Sequence, residues 1–166
     1  MTTPTVQVFL SIGSNVHPRD NLRLAYRELG KLGSDLAVSD VFQNAAVGFD
    51  GDDFLNLVAS LNTTLSPPAV IDALENIHAL AGRERGSARF GPRELDIDLL
   101  LYGDIVSAKW KLPRKDLVKY AFVAQPMAEL VPELVHPVDG RTMQQIWQQM
   151  ISDAPRMARV ELSLSA

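Results

Sequence analysis

Two aspartates set two positions apart, Asp96 and Asp98, are the residues of this chain best suited to chemistry. They open an apolar run that stops at Tyr102-Gly103. In a strand, residues i and i+2 share a face. Both carboxylates are therefore expected to point one way, with Leu95, Ile97, Leu99 and Leu101 filling the opposite layer. Arg83, Arg85, Arg89 and Arg93 fall within eleven residues just before them, opposed ahead of Glu94 by Glu84 alone. Carboxylates on a rigid strand beside guanidinium groups suit a hard cation carrying a phosphate ester. Taken singly, each feature has an ordinary reading, as solvent-facing acids or a solvated basic loop. Their order is harder to explain by structure alone. R-x-G-P-R-x-x-D-x-D leads straight into an apolar strand, and Gly91-Pro92 fixes the backbone that aims Arg93 at whatever Asp96 and Asp98 hold.

Other phosphate and hydrolytic chemistries lack their signatures. The chain has no G-x-x-x-x-G-K-[ST] and no G-x-G-x-x-G after its first apolar segment, which argues against a P-loop or a dinucleotide fold. His17, His78 and His136 are scattered without zinc-site spacing, and His136, beside Pro137, reads as a turn residue. Ser11 and Ser14 are not in G-x-S-x-G. Phe54, Phe90 and Phe122 are ordinary core candidates. Asn56 differs, because an amide on a strand rich in Leu and Val needs a partner. That partner is either a planar heterocycle or a neighbouring backbone.

The elements that must position these residues follow from periodicity and punctuation. Val6 to Ile12 predicts a first strand, ended by Gly13-Ser14-Asn15. Leu22, Ala25, Tyr26, Leu29 and Leu32 after Pro18 have helical spacing, closed by Gly30 and Gly33. Leu36 to Phe42 predicts a second strand, 44–53 a mobile loop, and Phe54 to Leu65 a third strand on which Phe54 and Asn56 share a face. Ser66 as N-cap with Pro67 in the first turn starts a helix that runs to about Ala81. The Asp-bearing strand comes next. The order β-α-β-β-α-β is that of a ferredoxin-like α+β fold, an antiparallel sheet with both helices on one face. Helices are predicted over Ala121 to Leu130 and Met143 to Met150, and a terminal strand over Arg159 to Leu164.

The composition limits the function classes. A chain of 166 residues without repeat or linker predicts one domain over 1–166. A net charge of −4 argues against a general nucleic-acid binder, so the arginine cluster reads as a local anion site on an acidic protein. No run of about 18 apolar residues is present. The N-terminus lacks the pattern of a signal peptide and there is no cysteine, so a cytoplasmic protein is expected.

RFGPRELDIDLLLYG at Arg89–Gly103 closely resembles the signature of the 6-hydroxymethyl-7,8-dihydropterin pyrophosphokinase family of folate biosynthesis. The likeness extends to FLSIGSN on the first strand, FLN at Phe54–Asn56, GRER at Gly82–Arg85 and AELVPELVHP at Ala128–Pro137, and it ends near Ser152. It implies a ferredoxin-like fold and transfer of pyrophosphate from ATP to the pterin's hydroxymethyl oxygen, releasing AMP. It further implies two Mg2+ ions on Asp96 and Asp98, with Arg83 and Arg93 gripping phosphate. ATP is also expected to meet Arg85, Arg89, Ile97, Arg114 and Lys115. The implied pterin site comprises Asn44, Ala45, Val47, Asn56 and the rings of Phe54 and Phe122. Partners are then small molecules alone, on a monomer or homodimer.

This chain departs from the family pattern at several of those positions. Pro113-Arg114-Lys115 stands where proline, histidine and an aromatic are usual, and Tyr120 where an arginine is usual. His78 replaces a glutamate, Asn44-Ala45-Ala46 a Thr-Pro-Pro, and Phe90 a tryptophan. Arg114 and Lys115 keep positive charge for the triphosphate but are not proton shuttles near neutral pH. The second functional class to weigh is a divergent paralogue that binds pterin or nucleotide with a changed substrate or little transfer.

Overall fold

The computed structural model describes residues 4–45, 52–82 and 95–165, and β1 (Val6–Ser14) is an inner strand of its sheet. This strand pairs antiparallel with β4 (Phe54–Thr63) on one side and β5 (Asp96–Tyr102) on the other. The far edge of β4 carries β2 (Ser34–Val38) and then β3 (Val41–Asn44), and β3 in turn pairs with β6 (Ala158–Val160). The helices α1 (Pro18–Leu29) and α2 (Pro67–Leu80) lie on one face. There Leu22, Ala25 and Leu29 of α1 and Val70, Leu74 and Ile77 of α2 are buried with Val8, Leu10, Ile12, Leu57 and Ile97 of the sheet. This is the ferredoxin-like α+β arrangement that the element order predicted. As expected, the Ser66 side chain caps α2 by accepting from Ala69 N–H.

The opposite face is covered by α3 (Asp116–Lys119), α4 (Ala121–Leu130) and α5 (Met143–Met150). Phe9, Val58, Leu100 and Leu101 of the sheet are buried there with Val123, Met127 and Ile146. Each fully buried side chain of this size contributes roughly 1.5–3 kcal/mol, so both faces of the sheet are anchored. The bounds of α4 and α5 match those predicted, whereas the short α3 was not anticipated.

Several expectations need correction. The predicted second strand is two strands, because Ser39-Asp40 interrupts the pairing and the edge gains one residue between Val38↔Ala59 and Phe42↔Asn56. Ser39 bridges the break: its N–H donates to Val58 O at 2.9 Å and its Oγ accepts from Val58 N–H at 3.0 Å. Leu101 does not share a layer with Ile97 and Leu99. Phe9 pairs with Leu101 but Leu10 pairs with Leu99, so a bulge at Leu100 turns Leu101 toward the C-terminal helices. Gly13-Ser14 does not end β1 but belongs to it. The loop expected from Asn44 begins one residue later, since Asn44 is the last residue of β3, and 46–51 lie outside the described residues. The terminal strand is shorter than predicted. Beyond Val160 the chain crosses α1, where Arg19 and Arg23 donate to the carbonyls of Glu161 and Ser163 and Leu162 and Leu164 pack on the first core.

Candidate active site

The carboxylates and the amide singled out in the sequence fall in one row across the sheet. Gly13 on β1 is paired with Asp96 on β5 and with Asn56 on β4, and Asn56 is paired with Phe42 on β3. Cross-strand partners share a face, and adjacent strands lie about 4.8 Å apart, so Asp96 and Asn56 are separated by about 10 Å of sheet. Ser11 pairs with Asp98 in the parallel row below. This is the face covered by the C-terminal helices at Phe9, Val58 and Leu100. At Asp96, Asp98 and Phe54 it stays half-exposed, while Asn56 is buried. An apolar floor thus gives way to a polar shelf at the end of the strands.

Gly13 makes that shelf possible. A Cβ there would lie 2.4 Å from Asn56 Oδ1 and 3.7 Å from Phe54 Cδ1, so the bare backbone admits the Asn56 amide between the strands. Asn56 donates from Nδ2 to Asn44 Oδ1, and Asn44 donates to Ala45 O at 3.1 Å. Of the two partners open for Asn56, a heterocycle or a neighbouring backbone, its described one is neither but the side chain of another candidate site residue. Directly beyond Gly13, Asn21 donates to Val16 O at 2.7 Å and to Ser14 Oγ at 3.4 Å, and Asn15 donates to Asp52 O at 3.4 Å. These buried polar residues lock the turn after β1 and were missed. The sequence signals for them were the polar Ser14-Asn15 pair next to an apolar strand and its place in the FLSIGSN stretch of the family likeness.

On the carboxylate side, Asp96 and Asp98 share a face as predicted, with the Ile97 side chain buried on the other. The Ile97 N–H donates to Nε2 of His78 at 2.8 Å. That bond requires an unprotonated Nε2 and leaves the Nδ1 proton facing Glu75 Oε1 at 3.3 Å. His78 is buried, so α2 grips the strand between the two carboxylates. Arg114 reaches the same strand. Its N–H donates to Leu100 O at 2.9 Å, and its guanidinium lies 3.5 Å from Asp98 Oδ1 and 3.4 Å from Asp116 Oδ2. Lys115 is exposed at the start of α3. Phe122 is half-buried in the first turn of α4 and stacks on Tyr120 with ring centres 4.9 Å apart. Arg83, Arg85, Arg89, Arg93 and Val47 lie outside the described residues. His136 has the expected turn role: Nδ1 accepts from the N–H groups of Val138 and Asp139.

The donor chemistry fits magnesium held together with a polyphosphate. Among the described residues no group of three or more His, Asp or Glu side chains gathers to hold a metal unaided. Mg2+ is commonly held by one or two carboxylates, its remaining positions taken by phosphate oxygens and water. Asp96 and Asp98 supply that number.

The family profile for 7,8-dihydro-6-hydroxymethylpterin-pyrophosphokinase (HPPK) matches residues 9–132, the span that contains every residue of this shelf. The chain belongs to the HPPK family. The match covers most of the chain, and with it the chain is an enzyme of the pyrophosphokinase class. Among HPPK relatives, a 2-amino-4-hydroxy-6-hydroxymethyldihydropteridine pyrophosphokinase of Pseudomonas aeruginosa is 36% identical over 146 residues, covering 84% of this chain and 89% of the relative. One of Aquifex aeolicus is 34% identical over 135 residues, covering 79% and 84%. The HPPK fold recurs in the solved Plasmodium falciparum HPPK-DHPS, with a TM-score of 0.71 and 12% identity over 89% of this chain and 45% of that one. Among the described residues no helix is long and apolar enough to cross a membrane.

Proposed function

We propose that the chain transfers pyrophosphate from ATP to the hydroxymethyl group of 6-hydroxymethyl-7,8-dihydropterin, releasing AMP, as a step of folate synthesis. The observation that carries this reading is the row Asp96–Gly13–Asn56, which sets a carboxylate pair and a buried amide side by side on one half-exposed face. Asn56 and Asn44 present amide donors and acceptors to the edge of the pterin, with Phe54 and Phe122 as its flanking rings. Asp96 and Asp98 would hold two Mg2+ ions, which when bound would supply positive charge to the triphosphate. As the family likeness implies, Arg83 and Arg93 grip the phosphates, and Arg85 and Arg89 add positive charge for ATP. Lys115, exposed at the rim, adds positive charge for the nucleotide.

The attacking hydroxymethyl oxygen has to lie in line with the β-phosphorus and its leaving AMP. With the two sites about two strand spacings apart on a rigid sheet, orientation is the main contribution of this chain's own residues. The His78 bond to Ile97 N–H and the Arg114 bond to Leu100 O both act on the strand that carries the carboxylates.

The Arg114–Asp98 ion pair favours one second reading, a divergent paralogue that binds pterin or nucleotide and transfers little. Product analysis separates the two. ATP, Mg2+ and the pterin are incubated with the chain, and nucleotide products are resolved by chromatography. AMP formed in equal amount to diphosphorylated pterin supports the transferase. Pterin binding by calorimetry without AMP supports the paralogue, and ADP in place of AMP would overturn both.

A further inference from the structure

Arg114 occupies a position that a simple ATP-binding role does not explain. Its side chain is mostly buried, 17% exposed, and lies between Asp98 and Asp116 on contacts of 3.5 and 3.4 Å. Charge-assisted hydrogen bonds are shorter, about 2.7–2.9 Å. Nε is buried without a hydrogen-bond partner among the described residues. The guanidinium is thus attracted to Asp98 but not locked there, and an Arg with a buried unmet donor is poised to exchange partners. It has room to move, because a cavity of about 460 Å³ lies beside it, bordered by Ser107, Lys111, Leu112, Pro113 and Lys115. Its backbone, tied to Leu100 O, stays fixed while the side chain turns.

We propose that Arg114 is a resident counter-cation of Asp98 which a divalent cation displaces, and that the released guanidinium turns to the phosphate oxygens arriving with that cation. This rests on the reading of Asp98 as a metal ligand. The Asp98 carboxylate then has a positive neighbour in both states, which lowers the electrostatic cost of keeping it half-buried before substrate arrives. The exchange has a thermodynamic signature. Metal alone must displace Arg114 from Asp98 and leave it Asp116 as its one remaining described anion, whereas metal with a nucleotide brings phosphate oxygens to replace the lost contact. Metal and nucleotide should therefore bind with positive coupling, and the coupling must be reciprocal.

The test is Mn2+ binding, read by electron paramagnetic resonance of the free ion, to the intact chain with and without a non-hydrolysable ATP analogue. Arg114→Gln and Arg114→Met are expected to raise affinity for Mn2+ alone by roughly three- to tenfold. With the analogue present, that gain should vanish or reverse. Arg114→Lys, which keeps the charge, should stay near the unaltered chain. Arg114 variants that bind Mn2+ alone no more tightly than the unaltered chain would overturn the proposal. If neither the unaltered chain nor the variants bind Mn2+ under either condition, the metal reading of Asp98 itself falls and takes this inference with it. An Asp98→Asn control marks that case, since it should lose the binding whatever stands at residue 114. In the unaltered chain, the Arg114 side-chain nitrogen resonances should shift when Mg2+ is added alone. Unmoved resonances at saturating Mg2+ would count equally against displacement.

Discussion

Replacing Gly13 by alanine should damage the pterin side of the site through a single contact. The new Cβ would stand 2.4 Å from Asn56 Oδ1, far inside van der Waals contact, while its next neighbours, Asn56 Cγ at 3.5 Å and Phe54 Cδ1 at 3.7 Å, are at ordinary distances. The Asn56 amide must therefore move or the strands must part, and moving it breaks its hydrogen bond to Asn44. Overpacking of this kind costs about 1–3 kcal/mol. In an Asn56→Ala background the offending atom is gone and Phe54 Cδ1 is the nearest remaining neighbour. There the same Gly13→Ala change should be close to neutral, or stabilising by up to about 1 kcal/mol through the unfolded chain. The double-mutant cycle should consequently show a coupling of about 1–3 kcal/mol between residues 13 and 56. Urea unfolding of the four proteins gives the energies, and calorimetry with the pterin gives the affinities. Gly13→Ala should weaken pterin binding about as much as Asn56→Ala, by roughly tenfold or more for a lost buried hydrogen bond. Additive stabilities together with unimpaired pterin binding in Gly13→Ala would refute the role assigned to this glycine.

Three further outcomes test other parts of the structure. Burial holds the His136 imidazole below its ordinary pKa, with Asp139 opposing and Arg141 reinforcing the shift. The unfolded chain then binds more protons, so stability should be lost as pH falls from about 6.5 toward the folded value. Urea midpoints between pH 8 and 5 should show that slope, and His136→Gln should flatten it. The neighbouring Asp139 is held down to about 2 by its hydrogen bond from Arg141, so it stays charged throughout that window. Ser39→Ala removes the acceptor of the Val58 N–H at the break between β2 and β3, and should cost about 1–2 kcal/mol in denaturant unfolding. Arg159→Ala removes ion pairs to Asp40 and Glu129 from a half-exposed side chain, and should cost no more than about 1 kcal/mol, less still in high salt.

The sequence made the face of the carboxylates legible because period-two alternation holds strictly over Leu95 to Leu99. It failed at Leu101, since a bulge at Leu100 is set by pairing with β1 and leaves no local mark in a run of leucines. The break at Ser39-Asp40 was overlooked for a similar reason: Val38 and Phe42 both look like strand residues, and the side-chain bond that patches the gap is long-range. Gly13 read as a strand terminator because glycine commonly is one. Its actual task, leaving space for Asn56, depends on a partner 43 positions later that the register alone brings opposite. The helices were easier, as caps and apolar spacing are local, and the Ser66 cap and both later helices fall where expected. Arg114 was expected to meet ATP, and its contact with Asp98 was not legible because it depends on how the segment after β5 folds back onto Leu100.

The measurement that bears most directly on the central claim is AMP release from ATP with Mg2+ and 6-hydroxymethyl-7,8-dihydropterin, run beside Asp96→Asn and Asp98→Asn with pterin affinity measured on the same samples. AMP is expected in the unaltered chain only when the pterin is present. None is expected in either variant, although both keep their fold and their pterin affinity. Undiminished AMP release in either variant, or release that ignores the pterin, would contradict the assignment of the carboxylate pair and the amide to one reacting site.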